Sequence, residues 1–398
     1  WNVLIAGYTQ HEQYHKALKC FAQMQGDGLS PDEATFSCIL KACSRTRCID
    51  IGTQIHNEIV DRGFLENNIM LGIALVDMYA NCGFLEKAQS VQIELPFQTV
   101  VSWNALIEGY AQRGQSDEAM NCFEEMQRAG FCPNDATFIS ILKACGNRRA
   151  VEKGKQIHSE LLGRGFLEKN IMVGTALVDM YAKCGILGKA REVFKELPVR
   201  DIVSWNALIG GYAHHEQGHD ALNCFVEMQM QGFHPNDVTF ISILKACGST
   251  KAIQTGVQIH EEIINRGILK RNSTLGTALV DMYAKCGALV KAHEVLQDLH
   301  DRDVVSWNAL IAGYAHHGKL HEALNCFLQL QKEGLHPDGV TFTCILSVCG
   351  SMRAIDEGER IHDAIVSRGL LEKNLVLVGA LVGMYAKCGE FTKAVGVL

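Results

Sequence analysis

The sequence predicts an all-α array of repeated helix-turn-helix hairpins, and three observations support that fold class. The four Trp residues lie at positions 1, 103, 205 and 307, so each is 102 residues from the next with no insertion. Apolar residues recur at helical spacing within each 102-residue unit, and Gly and Pro end these runs at regular places. Because 398 residues exceed what one core usually organises, the constant register indicates a repeat array.

Each 102-residue unit divides into three related pieces. In the second unit these pieces span residues 100–134, 135–170 and 171–201, which are 35, 36 and 31 residues long. The first piece places Trp103, Leu106, Ile107 and Tyr110 on one helical face before Gly114 interrupts the run. A second helix follows, and the other pieces repeat the plan through "FISILKAC" and "TALVDMYAKCG". Every piece is therefore predicted to be a helical hairpin.

A hairpin of this length cannot bury its apolar face alone, so neighbouring hairpins must stack. We expect twelve hairpins in a single right-handed superhelical α-solenoid over residues 1–398, with the first helices along its concave side. The hairpins form four triplets, at residues 1–99, 100–201, 202–303 and 304–398, and the first and last hairpins are incomplete. A long ligand would lie along the concave side.

Composition restricts the classes of ligand. The chain is 47% hydrophobic and 20% charged, and it contains no apolar run long enough to cross a membrane. A formal net charge of −7 argues against non-specific duplex binding, although a local basic groove remains compatible with it. Twelve of the 16 Cys residues fall in three repeat columns, which predicts small buried side chains with reduced thiols in a reducing compartment.

The sequence contains no constellation of catalytic residues. It has no Gly-rich phosphate loop, no nucleophile elbow and no carboxylate pair outside ordinary helix surface. His158 and His260 match half of the zinc deaminase signature, but the chain contains no C-x-x-C. We therefore expect a packing or surface role for these histidines, no metal, no other cofactor and no enzymatic activity in this chain.

The repeated phrases "SWNALI" and "ALVDMYAKCG", with the alternation of 35, 36 and 31 residues, resemble the plant organellar pentatricopeptide repeat family, and more narrowly its subclass of P-L-S triplets. The resemblance implies single-stranded RNA binding at one base per repeat, in a factor for RNA editing or processing in the mitochondrion or chloroplast. It also implies contacts between L-type motifs and editing accessory proteins. The chain looks like a fragment without its transit peptide, and a deaminase-like domain would lie beyond Leu398.

In this family the fifth and the last residue of a motif read the base. The P-type and S-type pairs are Asn2 with Asp32, Asn104 with Asn134, Asn206 with Asn236, Asn308 with Asp338, Thr175 with Asp201, and Thr277 with Asp303. The resemblance implies uracil for Asn/Asp, a pyrimidine for Asn/Asn and guanine for Thr/Asp. An amide or hydroxyl both donates and accepts, whereas a carboxylate only accepts. The resulting target is 5′-U-(A)-N-Y-N-G-Y-N-G-U-(A)-N-3′.

Other positions carry weaker or different roles by the same resemblance. The L-type pairs Ser37/Asn68 and Thr343/Asn374 favour adenine weakly, and Ile139/Asn170, Ile241/Asn272 and the S-type pair Ile73/Thr99 are expected to be silent. The second residue of a P-type motif would wedge between bases, at Val101, Val203 and Val305. Phosphate contacts are expected at Lys183, Lys285 and Lys387, where Asn81 occupies the equivalent place in the first unit.

Simpler explanations of these columns stay open at this point. An Asn near a helix start can cap it, although capping leaves the partner thirty residues later unexplained. A Lys at the end of a helix suits the helix dipole as well as a phosphate. The Trp column is expected in the core between hairpins, since Trp lies about 100° around the helix from the reader Asn. The alternative function is a protein- or peptide-binding helical scaffold, and the sequence leaves self-association open.

Overall fold

A computed structural model describes residues 1–66, 68–269, 272–371 and 374–398, with the side chain of Lys169 left out. Within these ranges the regular structure is entirely helical and no strand is formed. The chain divides into two compact units, Trp1–Arg200 and Asp201–Leu398. The predicted all-α array of hairpins is confirmed in each unit. Among the described helices, none combines the length and apolar character that a bilayer crossing requires.

The first unit contains six hairpins, with a short 3₁₀ helix at Phe64–Glu66 and a four-residue helix inserted between hairpins. Its α-helices are α1 (Asn2–Gln10), α2 (Tyr14–Gly26), α3 (Glu33–Thr46), α4 (Ile49–Asp61), α5 (Ile69–Cys82), α6 (Leu85–Glu94), α7 (Val100–Gln112), α8 (Ser116–Arg128), α9 (Asp135–Arg148), α10 (Val151–Gly163), α11 (Phe166–Lys169), α12 (Ile171–Lys183) and α13 (Leu187–Glu196).

The second unit contains the other six hairpins. Its helices are α14 (Ile202–His214), α15 (Gly218–Met230), α16 (Asp237–Thr250), α17 (Ile253–Asn265), α18 (Ser273–Lys285), α19 (Leu289–Asp298), α20 (Val304–His316), α21 (Leu320–Lys332), α22 (Gly339–Met352), α23 (Ile355–Ser367), α24 (Leu375–Cys388) and α25 (Phe391–Val397).

The first helix of each complete hairpin starts directly after a side chain that caps it. Asn134 accepts the Thr137 N–H at 3.1 Å before α9, and Asp201 accepts the Ser204 N–H at 2.8 Å before α14. Such a cap stabilises a helix by about 1 kcal/mol because it satisfies an otherwise unpaired N–H group. Each capping residue is the last residue of a predicted motif. The helix starts therefore coincide with the predicted motif boundaries.

The first helices pack against one another in series within each unit. In the first unit the series is α1, α3, α5, α7, α9 and α12; in the second it is α14, α16, α18, α20, α22 and α24. Each of these helices also contacts the second helix of its own hairpin. The series produces a continuous row of first helices in each unit, as expected for stacked hairpins.

Two close approaches between first helices depend on glycine. A Cβ atom at Gly313 of α20 would lie 2.6 Å from the Cβ of Ala284 in α18, and one at Gly109 of α7 would lie 2.9 Å from the Cβ of Ala80 in α5. Carbon atoms in ordinary contact are about 3.5–4.0 Å apart. Any larger side chain at these two positions must therefore displace one helix from the other.

The Trp column belongs to the core, as expected from the sequence. Trp205 and Trp307 are fully buried and Trp103 is nearly so. The Nε1 atom of Trp307 also donates to Glu333 Oε2 at 2.9 Å. Trp1 has no preceding helix against it in this structure and is 40% exposed. Trp is therefore a packing residue in the three complete P-type motifs and is unavailable there as a platform for stacked bases.

The repeated His column also has a packing role, as expected. In the first unit the Nδ1 atom of His158 lies 2.9 Å from the hydroxyl of Tyr181, and the same contact joins His56 with Tyr79. Burial lowers the pKa of His158, which favours its neutral form. Within the described ranges, no group of three or more His, Cys, Asp and Glu side chains is placed to hold a metal ion.

The Cys columns contribute small side chains to the core. All sixteen Cys residues lie in the described ranges, and none of them forms a disulfide there. Burial raises the pKa of Cys145 and of Cys247 to about 12, so these thiols stay protonated at neutral pH. The expectation of buried cysteines is confirmed for the columns of Cys145 and Cys122, apart from the half-buried Cys20, but it is wrong for the column of Cys82, Cys184, Cys286 and Cys388, whose members are half-buried.

Candidate nucleic-acid interface

The two members of each P-type pair contact each other directly. In every case the amide Nδ2 of the fifth residue donates a hydrogen bond to a side-chain oxygen of the last residue, 30 residues later. The bonds are Asn2 to Asp32 at 2.6 Å, Asn104 to Asn134 at 3.0 Å, Asn206 to Asn236 at 3.1 Å, and Asn308 to Asp338 at 3.0 Å. The structure therefore brings together the two members of all four P-type pairs.

The capping role falls on the closing residue and not on the fifth residue. Asn104 is the fifth residue of α7, which is capped by Thr99, while Asn134 caps α9. The explanation that the Asn column caps a helix start is therefore wrong for Asn104, because its amide lies beyond the first turn. The argument that capping leaves the closing residue unexplained is also wrong, since capping is one of its two functions.

Asp338 and Asp32 are the closing carboxylates of the two Asn/Asp pairs. Burial acts to raise the pKa of Asp338, but hydrogen bonds to its carboxylate, foremost those from the Thr341 N–H and the Asn308 amide, outweigh burial and lower the pKa. At the first pair, hydrogen bonds from the Thr35 hydroxyl and N–H are the main causes that lower the pKa of Asp32. Both carboxylates are therefore ionised acceptors at neutral pH.

An arginine holds the chain next to each closing residue of the first three P-type motifs. The Nη1 atom of Arg266 donates to the Pro235 carbonyl at 2.8 Å, and its guanidinium lies 5.3 Å from the ring centroid of Phe240. Pro235 directly precedes the closing residue Asn236. Arg62 and Arg164 make the equivalent bonds to Pro31 and Pro133. This column explains the repeated "RG" of the L-type motifs, for which the sequence suggested no function.

The S-type pairs are built differently from the P-type pairs. No hydrogen bond joins Thr277 to Asp303 in the part of the chain that the structure describes. The Thr277 hydroxyl donates to the Ser273 carbonyl at 3.2 Å, and Asp303 caps α20 through the Ser306 N–H at 2.8 Å. Thr175 is buried in the first unit, and Asp201 caps α14 in the second. Both S-type pairs therefore stay predictions.

The closing Asn of most L-type motifs contacts the first residue of its motif and not the fifth. Asn272 Nδ2 donates to Asp237 at 2.9 Å, while its Oδ1 caps α18. Equivalent bonds run from Asn68 to Glu33 and from Asn170 to Asp135. The fourth motif has Gly339 at this place, and its Asn374 caps α24. The described chain contains no hydrogen bond within the pairs Ser37/Asn68 and Thr343/Asn374.

The residues named as wedges are apolar and exposed. Val101, Val203 and Val305 have 57%, 57% and 60% of their surface accessible. Burial of such side chains against the apolar faces of bases would be favourable, which would explain apolar residues on a solvent-exposed helix face. The second residue of several L-type and S-type motifs is also apolar and exposed, although these positions were not predicted to be wedges. These positions include Met70, Met172, Val238, Val340 and Val376.

The lysines named for phosphate lie at the ends of first helices, as expected. Lys183 and Lys285 form ion pairs of 2.7 Å with Asp179 and Asp281 one turn earlier in the same helix. The sequence analysis did not include these carboxylates. Lys387 has Gly383 one turn earlier and therefore has no such partner.

The first triplet, residues 1–99, has Asn81 in place of the lysine. Asn81 Nδ2 donates to Asp77 at 2.9 Å and to the Ser44 hydroxyl at 3.0 Å. In the second unit the place of Ser44 is taken by Gly248, where a Cβ atom would lie 3.1 Å from the Lys285 side chain. Gly248 thus leaves room for the lysine to cross the neighbouring helix.

One concavity in the second unit is lined by predicted base-reading, wedging and phosphate-binding residues. It has a volume of about 420 Å³ and lies along first helices α16, α18, α20 and α22. Its lining includes Thr277 and Asn308, which are predicted to read bases, Val305, which is predicted to be a wedge, and Lys285. Lys245 and Val340 also line it, although the sequence analysis did not select them. The concavity therefore offers donors, an apolar wedge and positive charge on one surface.

Comparison with known proteins supports the same repeat pattern. The sequence profile of the PPR repeat family matches residues 1–45, 98–147, 200–249 and 302–351, and a second PPR repeat profile matches residues 175–202 and 277–304. These matches cover more than half of the chain. The chain belongs to the pentatricopeptide repeat (PPR) family.

Similar PPR proteins occur in both plant organelles. A mitochondrial pentatricopeptide repeat-containing protein of Arabidopsis thaliana is 34% identical over 393 residues, which are 98% of this chain and 38% of the relative. A chloroplastic one from the same plant is 35% identical over 395 residues, which are 99% of this chain and 63% of the relative. The chain therefore spans less than two thirds of the length of these two relatives.

Solved structures of PPR proteins are also similar to this chain. The crystal structure of the pentatricopeptide repeat protein PPR10 from maize is 20% identical and aligns with 100% of this chain and 72% of that chain, with a TM-score of 0.44. The structure of PPR10 in complex with an 18-nt psaJ RNA element is 17% identical, covers 100% of this chain and 78% of that chain, and has a TM-score of 0.40.

Proposed function

We propose that this PPR chain binds single-stranded RNA in a sequence-specific manner, with one motif for each base, and that it is the recognition part of an organellar factor for RNA editing or processing. The four triplets read twelve successive bases in this proposal, in the order 5′-U-(A)-N-Y-N-G-Y-N-G-U-(A)-N-3′. Membership of the PPR family supports RNA as the ligand, and the organelle names of its relatives support a mitochondrial or chloroplast location.

The observation that carries the proposal is the concavity of the second unit. Thr277 and Asn308 present hydrogen-bonding groups on its surface, and Val305 lies between them in sequence with most of its surface exposed. Unstacked bases of single-stranded RNA are recognised by this combination of hydrogen bonds to the base edge and contact with the base face. Lys285 and Lys245 provide positive charge for the phosphates on the same surface.

Selection of bound RNA from a random pool tests this proposal, with the wild-type chain and the variant Thr277→Asn examined side by side. The wild-type chain should enrich guanine at the sixth and ninth positions and pyrimidines at the fourth, seventh and tenth. Thr277→Asn converts a Thr/Asp pair into an Asn/Asp pair, so it should change the ninth base from guanine to uracil and leave the sixth unchanged. A pool without any enriched motif would contradict the proposal and favour the scaffold function.

A further inference from the structure

A buried threonine contacts the reader amide of each of the last three P-type motifs. It is the third residue of the motif that follows, 33 positions after the reader. The Oγ1–Oδ1 distances are 2.5 Å for Thr137 with Asn104, 2.6 Å for Thr239 with Asn206, and 2.6 Å for Thr341 with Asn308. All three threonines have 0% of their surface accessible. Their hydroxyls therefore reach the reader from beneath the interface.

The donors and acceptors around Asn308 determine how its amide is oriented. Asp338 offers only acceptors, so Asn308 must direct Nδ2 to it, at 3.0 Å from Oδ1. The amide oxygen of Asn308 then points away from the carboxylate and towards Thr341. The reverse orientation would place the amide oxygen against the carboxylate, two acceptors with no proton between them.

The single proton of the Thr341 hydroxyl is directed to Asn308. The hydroxyl oxygen accepts the Asp338 N–H at 3.1 Å. Oδ1 of Asp338 lies 2.9 Å from this hydroxyl but already accepts from the Thr341 N–H and from Asn308 Nδ2. The Asn308 oxygen is nearer, at 2.6 Å, and has no other donor among the described residues. The amide oxygen of Asn308 thus accepts the Thr341 proton, and one of its two N–H groups has no partner among the described residues.

We propose that Thr341 is a positioning residue for base recognition. The threonine hydroxyl holds the amide oxygen of the reader on the buried side, so that the reader presents its remaining N–H to the base. This inference rests on the proposed function. Uracil and cytosine have the same size but differ at C4, where uracil carries an accepting carbonyl and cytosine a donating amino group. An N–H donor therefore favours uracil, and an accessible amide oxygen would favour cytosine.

The first P-type motif provides a matched control within the same chain. Asn2 and Asp32 form the same Asn/Asp pair as Asn308 and Asp338, and Thr35 stands in the place of Thr341. The Thr35 hydroxyl, however, donates to Asp32 at 2.7 Å, and the described chain contains no bond between Thr35 and Asn2. Thr35 therefore supports the helix cap but forms no hydrogen bond with Asn2 in the described chain.

The variants Thr341→Val and Thr35→Val separate positioning from helix capping. For each variant and the wild type, the ratio of affinities for RNA with uracil and with cytosine is measured at the base that the motif reads, together with unfolding in denaturant. Both variants should lose stability to a similar extent. Thr341→Val should reduce the uracil-to-cytosine ratio at the tenth base by about fivefold, the size expected for one hydrogen bond. Thr35→Val should leave the ratio at the first base unchanged.

Two further variants make the result independent of folding defects. Thr341→Ser keeps the hydroxyl and should retain the wild-type ratio. Thr341→Ala lacks the hydroxyl but adds no apolar atom beside Asp338, so it should give the reduced ratio even if the valine variant does not fold.

Three outcomes would overturn the inference. The first is an unchanged ratio in a folded Thr341→Val or Thr341→Ala chain. The second is a Thr35→Val chain whose ratio at the first base falls as far as that of Thr341→Val at the tenth. The third is a wild-type chain without preference for uracil at the tenth base, which would also overturn the proposed function; the first two outcomes leave that function standing.

Discussion

The Nδ2 atom of Asn308 donates a hydrogen bond of 3.0 Å to Oδ1 of Asp338, thirty residues further along the chain. The same carboxylate oxygen accepts the Thr341 N–H at 2.9 Å and caps α22. The side chain of Asp338 therefore caps the first helix of the next motif and also orients the amide of Asn308, which is proposed to read a base. The spacing of thirty residues is set by the length of the hairpin that separates the two residues.

The two functions of Asp338 can be separated by substitution. Asp338→Asn keeps an oxygen that can cap α22 and accept from Asn308, as Asn236 does for α16. We expect its unfolding free energy to stay within about 0.5 kcal/mol of the wild type and its preference at the tenth base to broaden from uracil to either pyrimidine. Asp338→Ala should lose about 1 kcal/mol of stability together with the base preference. Denaturant unfolding and RNA competition measure the two effects, and an unchanged preference in Asp338→Ala would contradict the assignment.

The lowered pKa of Asp338 makes its contribution to stability dependent on pH. A carboxyl group whose pKa is lower in the folded than in the unfolded chain stabilises the fold above its unfolded value, here 3.8, and this stabilisation is lost as pH falls through the folded value. The free-energy difference between the wild type and Asp338→Asn should therefore be constant from pH 5 to 8. Below about pH 4 the wild type should lose stability relative to Asp338→Asn. Urea unfolding at several pH values measures this free-energy difference. If the difference changed only near neutral pH, a group other than Asp338 would be the cause of the pH dependence.

The close approach of α18 and α20 predicts opposite effects for two glycine substitutions in the second unit. Gly313→Ala introduces a methyl group where Ala284 Cβ would be only 2.6 Å away, so we expect a loss of about 1–3 kcal/mol. At Gly210 of α14 the nearest neighbour of an added Cβ is Ser242 Oγ at 3.6 Å, an ordinary contact. Gly210→Ala should therefore stabilise the chain by about 0.5–1 kcal/mol, since alanine favours the helix. Equal effects of the two substitutions on unfolding would mean that the two helices are not in contact at Gly313.

Lys285 should contribute affinity without base preference. Its charge lies on the surface of the concavity, and a phosphate contact would be made with any sequence. Lys285→Ala should weaken the binding of all RNAs by a similar factor and reduce the slope of log affinity against log salt by about 0.7–1. Lys291→Ala is the control, because Lys291 belongs to the second helix α19 and does not line the concavity. A base-dependent loss in Lys285→Ala would instead indicate a reading role.

The motif boundaries could be predicted from sequence because three signals coincide at them. Apolar residues at helical spacing define the helices, Gly and Pro end them, and a capping side chain starts the next one. The unit boundary at Arg200 falls one residue before the predicted end of a motif, since Asp201 caps α14 and belongs with that helix. The pairing of Asn104 with Asn134 followed from family resemblance and not from periodicity.

The side-chain partners within the interface could not be predicted in the same way. Periodicity shows which residues share a helix face, but it does not show which of several nearby polar groups will form a hydrogen bond. The closing Asn272 therefore contacts Asp237 and not the fifth residue of its motif, and Lys285 pairs with Asp281. The contact of Thr341 with Asn308 spans 33 residues and depends on how two hairpins stack.

The affinity of the chain for the proposed twelve-base RNA, compared with the same RNA carrying adenine in place of both guanines, tests the central claim most directly. The sixth and ninth bases face the pairs Thr175/Asp201 and Thr277/Asp303 in this account. Adenine presents a donating amino group where guanine presents a carbonyl, so each exchange should weaken binding by about tenfold and both together by about a hundredfold. Equal affinities for the two RNAs would contradict base reading by these residues.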